Sequence, residues 1–211
     1  MRSDGELVEA WGAGDRQAAQ ELVDRYYRSV FRFFDLRVGF AAEDLTQRAF
    51  LGCVESRARL RQADSFRSFL FSIARNLLLN HLRSRTVESN VFETGDVMAA
   101  QDPGPTASRI VARHEEQVLL LRAMQALDVD TQVLLVMYYW EGLRSAEIGE
   151  VLGAPVSTVT TRLSRARKAL GDTIARLPAV DAHRSALLHD LERWMQSLPH
   201  LEIAAQRTYV P

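Results

Sequence analysis

Apolar residues recur at spacings of three and four along most of the chain, and no stretch alternates cleanly between apolar and polar positions. This spacing is typical of amphipathic helices and predicts an all-α protein. Ser3 and Glu6 match a capping box for a short first helix, and Asp15 can cap a second helix that runs towards Arg37. The apolar face expected of that second helix comprises Val23, Tyr26, Tyr27, Val30 and Phe34.

Two further helices are predicted near 42–57 and over 66–85, with a short arginine-rich loop between them. The residues expected to be buried are Leu45, Ala49 and Cys53 in the first of these helices, and Phe66, Phe69, Leu70, Ile73 and Leu77 in the second. Over 86–108 the periodicity fades and glycine, proline and acidic residues accumulate, so a flexible acidic linker is predicted there. The chain is expected to fold as two small helical domains on either side of this linker.

The predicted domains are residues 1–85 and 109–177, followed by a C-terminal extension over 178–211. The second domain is expected to contain helices near 110–127 and 131–141, the latter ended by Gly142. In the extension, Leu187, Leu191, Trp194 and Leu198 fall at helical spacing. They predict one amphipathic helix, capped by Asp181.

Residues 145–170 have the pattern of two short helices around a tight turn, and they read SAEIGEVLGAPVSTVTTRLSRARKAL. Ser145 is a candidate N-cap for the first helix, and Gly153 suits the left-handed position that follows it. Pro155 blocks continuation, and Ser157 is a candidate N-cap for the second helix. Gly149 lies inside the first helix, where it costs up to about 1 kcal/mol of helix propensity unless closer packing offsets it.

In the second helix, the apolar residues form a single stripe made of Val159, Leu163, Ala166 and Leu170. The hydroxyls and cations share the other face, which comprises Thr158, Thr161, Arg162, Arg165 and Lys168, with Ser164 at its edge and Ser157 at the start of the helix. Guanidinium groups can bond guanine edges or phosphates, and hydroxyls can bond either. The face therefore predicts major-groove contact by a helix-turn-helix. The alternative is a solvated amphipathic helix.

The overall composition does not identify the function, which must be inferred from local features. The net charge of −1 and the pI near 6.5 do not indicate a nucleic-acid-binding protein, but residues 57–85 contain seven arginines against Asp64 alone. Cys53 is the only cysteine, which excludes an internal disulfide and a multi-cysteine zinc site. The five histidines show no close metal-ligand pairing either, so we expect no metal site and no cofactor. The absence of a long apolar run or a signal peptide makes membrane insertion unexpected and a cytoplasmic location the default.

The combination resembles a bacterial RNA polymerase sigma factor of the extracytoplasmic-function (ECF) group, which keeps conserved regions 2 and 4. The resemblance covers roughly residues 5–177. It is carried by ELVDRYYRSVFRFF, EDLTQRAFLGCVES, SFRSFLFSIARNLLLNHLRSR, and the run from ALDVDTQVLLVMYYWEGLRSAEIGEVLG through STVTTRLSRARKAL. It implies a detachable specificity subunit, not an enzyme, that binds core polymerase and promoter DNA.

The resemblance also implies roles for three groups of residues. Core polymerase, through the clamp helices of its beta-prime subunit, would contact Asp44, Gln47, Arg48 and Leu51. Melted minus-10 DNA would contact Arg59, Leu60, Arg61, Arg75, Asn76, Asn80 and Arg83. Duplex minus-35 DNA would contact the hydroxyl and cation face of the second helix of the helix-turn-helix.

The resemblance leaves three further partners or roles open. Some of the apolar residues Leu134, Leu135, Met137, Tyr138 and Trp140 could receive the flap of the polymerase beta subunit. The C-terminal extension could complete its domain, cover region 4 or bind an anti-sigma factor. A different class of protein, an operator-binding helix-turn-helix regulator that does not join polymerase, is the alternative function. An adaptor without DNA contact and an enzyme fit the residues less well.

Overall fold

The computed structural model describes residues 2–57, 60, 65–92, 115–179 and 181–197. These residues form helices joined by turns, with no strand among them, and the chain divides into two compact units. The predicted all-α class with two helical domains is therefore confirmed. Most of the predicted linker, together with Leu198 and the residues after it, lies outside the described residues.

The first unit begins with two capped helices. The helices of this unit are α1 (Asp4–Gly12), α2 (Arg16–Val38), α3 (Ala42–Glu55) and α4 (Phe66–Phe92), with a 3-10 turn at Gly39–Ala41 before α3. The Ser3 hydroxyl accepts from the Glu6 N–H, and the Glu6 carboxylate accepts from the Ser3 N–H, which completes the predicted capping box. Asp15 caps α2 by accepting from the N–H groups of Gln17 and Ala18.

Aromatic rings form the centre of the first unit, where α2, α3 and α4 pack together. The Phe33 ring meets the rings of Phe34 and Phe71 edge to face, with centroid distances of 5.4 and 5.7 Å. Val30 and Phe34 are buried as predicted, but Val23, Tyr26 and Tyr27 are only partly buried. The true core face of α2 is rotated towards Ala18, Leu22, Phe33 and Leu36.

The core face of α4 also differs from the prediction. Phe66 and Leu70 are buried as expected, whereas Phe69, Ile73 and Leu77 are only partly buried. Their places in the core are taken by Phe71, Ala74 and Leu78. The helix is apolar on more than one face, so spacing alone did not identify its most buried side. It also continues to Phe92, beyond the predicted end at Arg85.

Most helices in the rest of the chain are short, and they belong to the second unit except for residues 150–152 at the end of one of them. They are α5 (Glu115–Gln125), α6 (Val129–Leu135), a π-helical segment (Val136–Trp140), α7 (Ser145–Leu152), α8 (Val156–Arg176), α9 (Asp181–His189) and α10 (Leu191–Ser197). Asp128 caps α6 by accepting from the Thr131 N–H at 2.9 Å. Gly142, at φ +59°, follows the π-helical segment, as predicted for the end of that helix.

The C-terminal extension is two helices, so the prediction of one continuous helix was wrong. The chain turns at Asp190, whose carboxylate accepts from the Arg193 N–H at 3.3 Å and caps α10. The break changes the buried face. Leu187 and Met195 are fully buried, whereas Leu191 and Trp194 are partly exposed.

Candidate nucleic-acid interface

The turn between α7 and α8 closes through backbone groups. Gly153 has φ +61°, the left-handed conformation predicted for it. The Ala154 N–H donates to the Gly149 carbonyl at 2.9 Å, and Pro155 precedes the first residue of α8. A Cβ atom added at Gly149 would lie 2.7 Å from the Ala154 carbonyl oxygen. Gly149 therefore has the close packing that offsets its poor helix propensity. The group packed against it is the backbone of the turn that follows α7.

Both predicted N-caps of this motif are displaced. Helix α7 begins at Ser145, so Arg144 holds the N-cap position, and its N–H donates to the Glu147 carboxylate at 2.8 Å. Helix α8 begins at Val156 after Pro155, and no side chain caps it. Ser157 instead lies in the first turn of α8. Sequence reasoning missed the Glu147 contact, although a carboxylate three residues after the cap is the usual sign of such a pair.

Helix α8 separates an apolar side from a polar side. The predicted stripe of Val159, Leu163, Ala166 and Leu170 is buried, and Ile174 continues it by one turn. The predicted polar residues are exposed except for Thr158, which is partly buried; the exposed ones are Ser157, Thr161, Arg162, Ser164, Arg165 and Lys168. The packing of the stripe thus fixes which side of α8 faces outward.

The outward face of α8 contains cations with few internal partners. Lys168 Nζ lies 2.8 Å from a carboxylate oxygen of Asp172, and both side chains are exposed. In the part of the chain that the structure describes, Arg162 and Arg165 have no ion-pair partner. The first turn of α8 also contains no acidic residue. This end of the helix is therefore electropositive, because the helix dipole adds to the side-chain charge.

The candidate minus-10 residues lie partly outside the described residues. Asn76, Asn80 and Arg83 are exposed on α4, and Arg75 is partly buried, so these four side chains occupy one helix. Leu60 is partly buried, and its N–H donates to the Arg57 carbonyl at 3.0 Å. Arg59 and Arg61 lie outside the described residues.

Arg57, just before the predicted DNA-capturing loop, contacts the end of α1. Its guanidinium donates to the Trp11 carbonyl at 3.0 Å and lies 5.3 Å from the centroid of the Trp11 ring. Sequence reasoning counted Arg57 only as one of several basic residues. Nothing in the spacing of Trp11 and Arg57 indicates that they meet.

Helix α3 presents a polar face with exposed apolar side chains. Asp44, Gln47 and Arg48 are exposed as predicted, and 56% of Leu51 is accessible. Val54, which sequence reasoning did not select, is 58% exposed one turn further along. Two branched apolar side chains thus lie exposed beside charged ones on this face. On the opposite face Cys53 is buried, and this burial raises the pKa of its thiol to about 12.

The candidate flap-contact residues are mostly core. Leu134, Leu135 and Met137 are buried within the second unit, which explains why this segment is more apolar than one helix face requires. Only Tyr138 and Trp140 are partly exposed. Tyr139 is 9% exposed, and burial raises the pKa of its hydroxyl.

No helix among the described residues is both long and apolar enough to span a bilayer.

Two family models match the chain, one in each unit. Residues 18–87 match sigma-70 region 2, and residues 117–170 match sigma-70 region 4. The first match covers α2, α3 and most of α4, whereas the second ends inside α8. The matched segments therefore contain all the described candidate contact residues, but not the C-terminal extension.

Curated proteins similar to this chain have sigma-factor names. A probable RNA polymerase sigma factor, RfaY, from Xanthomonas campestris is 38% identical over 60% of this chain and 32% of its own length. The ECF RNA polymerase sigma factor BldN from Streptomyces coelicolor is 32% identical over 84% of this chain and 66% of its own length. The chain thus spans less than two thirds of these two relatives. It spans 96% of the RNA polymerase sigma-H factor of Pseudomonas aeruginosa, which is 30% identical over 84% of this chain. Together with the two regional matches, these likenesses show that the chain belongs to the ECF sigma factors of bacterial RNA polymerase.

Proposed function

We propose that the protein binds core RNA polymerase and directs it to promoters through two DNA contacts, one from each unit. The observation that carries this proposal is the outward face of α8, where Arg162, Arg165 and Lys168 project from a helix whose apolar stripe is fully engaged in the core. Because the same chain contains a sigma region 2, this face acts together with a second DNA-binding surface.

The face of α8 has the chemistry needed to recognise duplex minus-35 DNA. Arg162 and Arg165 can reach base edges or phosphates, and the uncapped N-terminal N–H groups near Ser157 can bind a phosphate. Lys168 must exchange Asp172 for DNA, and this exchange costs little because an exposed ion pair contributes about 0–1 kcal/mol. The Thr161 hydroxyl donates to the Ser157 carbonyl at 2.9 Å, which leaves its oxygen free to accept from a base.

The exposed side of α4 is suited to the melted minus-10 strand. Asn76 and Asn80 can read the edges of unpaired bases, and Arg83 can neutralise a phosphate. We expect Arg75, Leu60, Arg59 and Arg61 to extend this contact along the strand.

We further propose that α3 contacts the clamp helices of the polymerase beta-prime subunit through Asp44, Gln47, Arg48 and Leu51. The exposed Leu51 supports this proposal, because burial of one apolar side chain within a polar helix face gives both affinity and orientation. Val54 lies on the same exposed ridge and would enlarge the contact. The beta flap would contact the second unit at Tyr138 and Trp140. An anti-sigma factor remains a further candidate partner.

A reconstituted transcription assay tests the proposal. The full chain is mixed with purified core polymerase and a library of genomic promoters, and promoter-dependent transcripts are counted. Wild-type protein is expected to give discrete starts, and the double variant Arg162→Ala with Arg165→Ala to lose most of them. Arg176→Ala is the matched control, since Arg176 is exposed near the far end of α8. Absence of any promoter-dependent transcript with wild-type protein would contradict the proposal.

A further inference from the structure

The C-terminal helices cover part of the second unit. Helix α9 packs against α5 and α8, and α10 packs against α5 and the π-helical segment. Leu187 and Met195 are the side chains that these helices bury completely. At the start of α9, His183 Nδ1 lies 2.8 Å from a carboxylate oxygen of Glu116 on α5. The two helices are therefore seated on region 4, although the match to that family region ends at residue 170.

A polar cluster joins α10 to α8 and to the π-helical segment. Arg167 Nε donates to the Tyr139 hydroxyl at 2.6 Å and lies 3.5 Å from a Glu192 carboxylate oxygen. The Tyr139 hydroxyl in turn donates to that oxygen at 3.3 Å. The Arg167 guanidinium also lies 5.3 Å from the centroid of the Tyr138 ring and 5.6 Å from that of Tyr139. Glu192 is thus the residue of α10 that this cluster holds.

These contacts are suited to reversible attachment. The Glu192 side chain is 67% exposed and that of Arg167 is 35% exposed, so water and salt weaken their attraction. Among the side chains of α10 that the structure describes, Met195 is fully buried, whereas Leu191 and Trp194 are partly buried. Elements with few buried apolar contacts open at a lower free-energy cost than the rest of a fold. Helix α10 can therefore detach while the core of α8 stays packed.

The covered surface is itself suited to a protein partner. Helix α10 packs against the segment that contains three consecutive aromatic residues, Tyr138, Tyr139 and Trp140, and its Glu192 contacts Tyr139. Aromatic residues are enriched at the centres of protein interfaces. The Trp140 indole N–H is buried, and among the described residues no acceptor pairs with it. Because buried donors are nearly always paired in a final complex, the packing of the free protein leaves this segment incompletely satisfied.

We propose that α10 is an internal competitor that occupies the aromatic surface Tyr138–Trp140 and must be released for core polymerase to bind there. This inference rests on the proposed function. In the free protein the chain's own helix α10 occupies this surface, and the contact of Glu192 with Arg167 and Tyr139 holds the helix there. The C-terminal extension thus limits the affinity of the free factor for polymerase, in addition to completing the fold of its domain.

The test measures the affinity of the full-length protein for core polymerase. Glu192→Arg replaces the fastening carboxylate by a charge that repels Arg167, and Arg193→Glu is the matched control because it reverses a neighbouring exposed charge outside the cluster. If the closed form outnumbers the open form about tenfold, release tightens the apparent affinity about tenfold. We expect this gain in affinity for Glu192→Arg and a change in affinity of less than about twofold for Arg193→Glu. The melting temperature should fall for Glu192→Arg but not for Arg193→Glu.

Hydrogen exchange on the wild-type protein gives a second, variant-free readout. The amides of residues 191–197 are expected to exchange faster in the polymerase complex than in the free protein, while those of α8 stay protected. Slower or unchanged exchange at 191–197 overturns the inference, as does equal or weaker binding by a folded Glu192→Arg variant. If the wild-type chain forms no complex with core polymerase, the proposed function itself fails, and the competitor role fails with it.

Discussion

Replacement of Gly149 by valine should open the turn of the helix-turn-helix. A Cβ atom at this position would lie 2.7 Å from the Ala154 carbonyl oxygen, whereas ordinary contacts begin at 3.4 Å. The two groups must therefore separate by at least 0.3 Å to reach 3.0 Å, and by 0.7 Å to reach an ordinary contact. The obstructing atom belongs to the backbone, so no side-chain rotation relieves the contact. The movement also strains the 2.9 Å hydrogen bond from the Ala154 N–H to the Gly149 carbonyl.

The expected loss can be worked from these contacts. Overpacking costs about 1–3 kcal/mol, and weakening the hydrogen bond costs about 1 kcal/mol more. Replacement of glycine within a helix returns up to about 1 kcal/mol, and somewhat less when the new residue is valine. We therefore expect the free energy of unfolding of the second unit to fall by about 2–3 kcal/mol for Gly149→Val. Gly149→Ala should lose less, because it adds the Cβ atom alone and gains more helix propensity.

Urea unfolding followed by circular dichroism measures these losses, with binding to minus-35 duplex DNA as a second readout. The difference in stability between Glu150→Ala and Glu150→Gly, at the neighbouring exposed position, measures the contribution of helix propensity alone. If Gly149→Ala and Gly149→Val are both as stable as the wild type, the steric argument is refuted. A gain for Gly149→Ala equal to the calibrated difference would show that the turn accepts a Cβ atom without strain.

Three shorter predictions concern DNA contact, polymerase contact and pH. Arg165→Ala should weaken minus-35 binding by about 1–3 kcal/mol if Arg165 reads a base, whereas Arg176→Ala should not; equal weakening on all sequences in a mobility-shift assay would make Arg165 a phosphate contact. Leu51→Asp should weaken binding to core polymerase without lowering the melting temperature, because Leu51 is exposed in the free protein; unchanged affinity would remove it from the contact. The pKa of Asp15 is lowered, first by the hydrogen bond from the Ala18 N–H and then by the one from Arg2. The ionised carboxylate therefore stabilises the fold at pH values above its ordinary pKa, and this stabilisation is lost as the pH falls through the lowered pKa. Melting temperatures of Asp15→Asn should therefore depend less on pH below 4 than those of the wild type, since asparagine keeps the cap but cannot titrate.

The sequence was most informative where one helix face is apolar and the other is not. In α8, the alternation of single apolar residues with charged ones left one possible side for the core, and the predicted stripe from Val159 to Leu170 is buried. In α4 the run FLFSIARNLLL offers several apolar sides, and the choice of Phe69 over Phe71 was wrong. The buried side depends on long-range contacts such as that between the rings of Phe71 and Phe33, and such a contact leaves no trace in local spacing.

Helix ends were predicted correctly where a side chain alone makes the cap, and wrongly where the backbone contributes. Ser3 and Asp15 cap their helices through their own oxygens, which the sequence shows directly. Ser145 and Ser157 have the same capability but lie one or two positions inside their helices. In α8, the carbonyl of Pro155 accepts from the N–H groups of Thr158 and Val159 and so begins the helix before Ser157. The geometry of the tight turn, not the preference of serine, sets the boundary.

The arginines of α8 illustrate how one residue type acquires two roles within a single helix. Arg165 and Arg167 are two positions apart, and about 200° of helix rotation separates their side chains. Arg165 therefore faces outward with the candidate DNA contacts, whereas Arg167 lies beside the buried stripe and reaches Tyr139 and Glu192. Periodicity predicted the first of these orientations and excluded Arg167 from the DNA face. It could not predict the partner of Arg167, because Glu192 reaches it only after the chain turns at Asp190. The cations of α8 are therefore not all available for DNA, since Arg167 is engaged in holding the C-terminal helix.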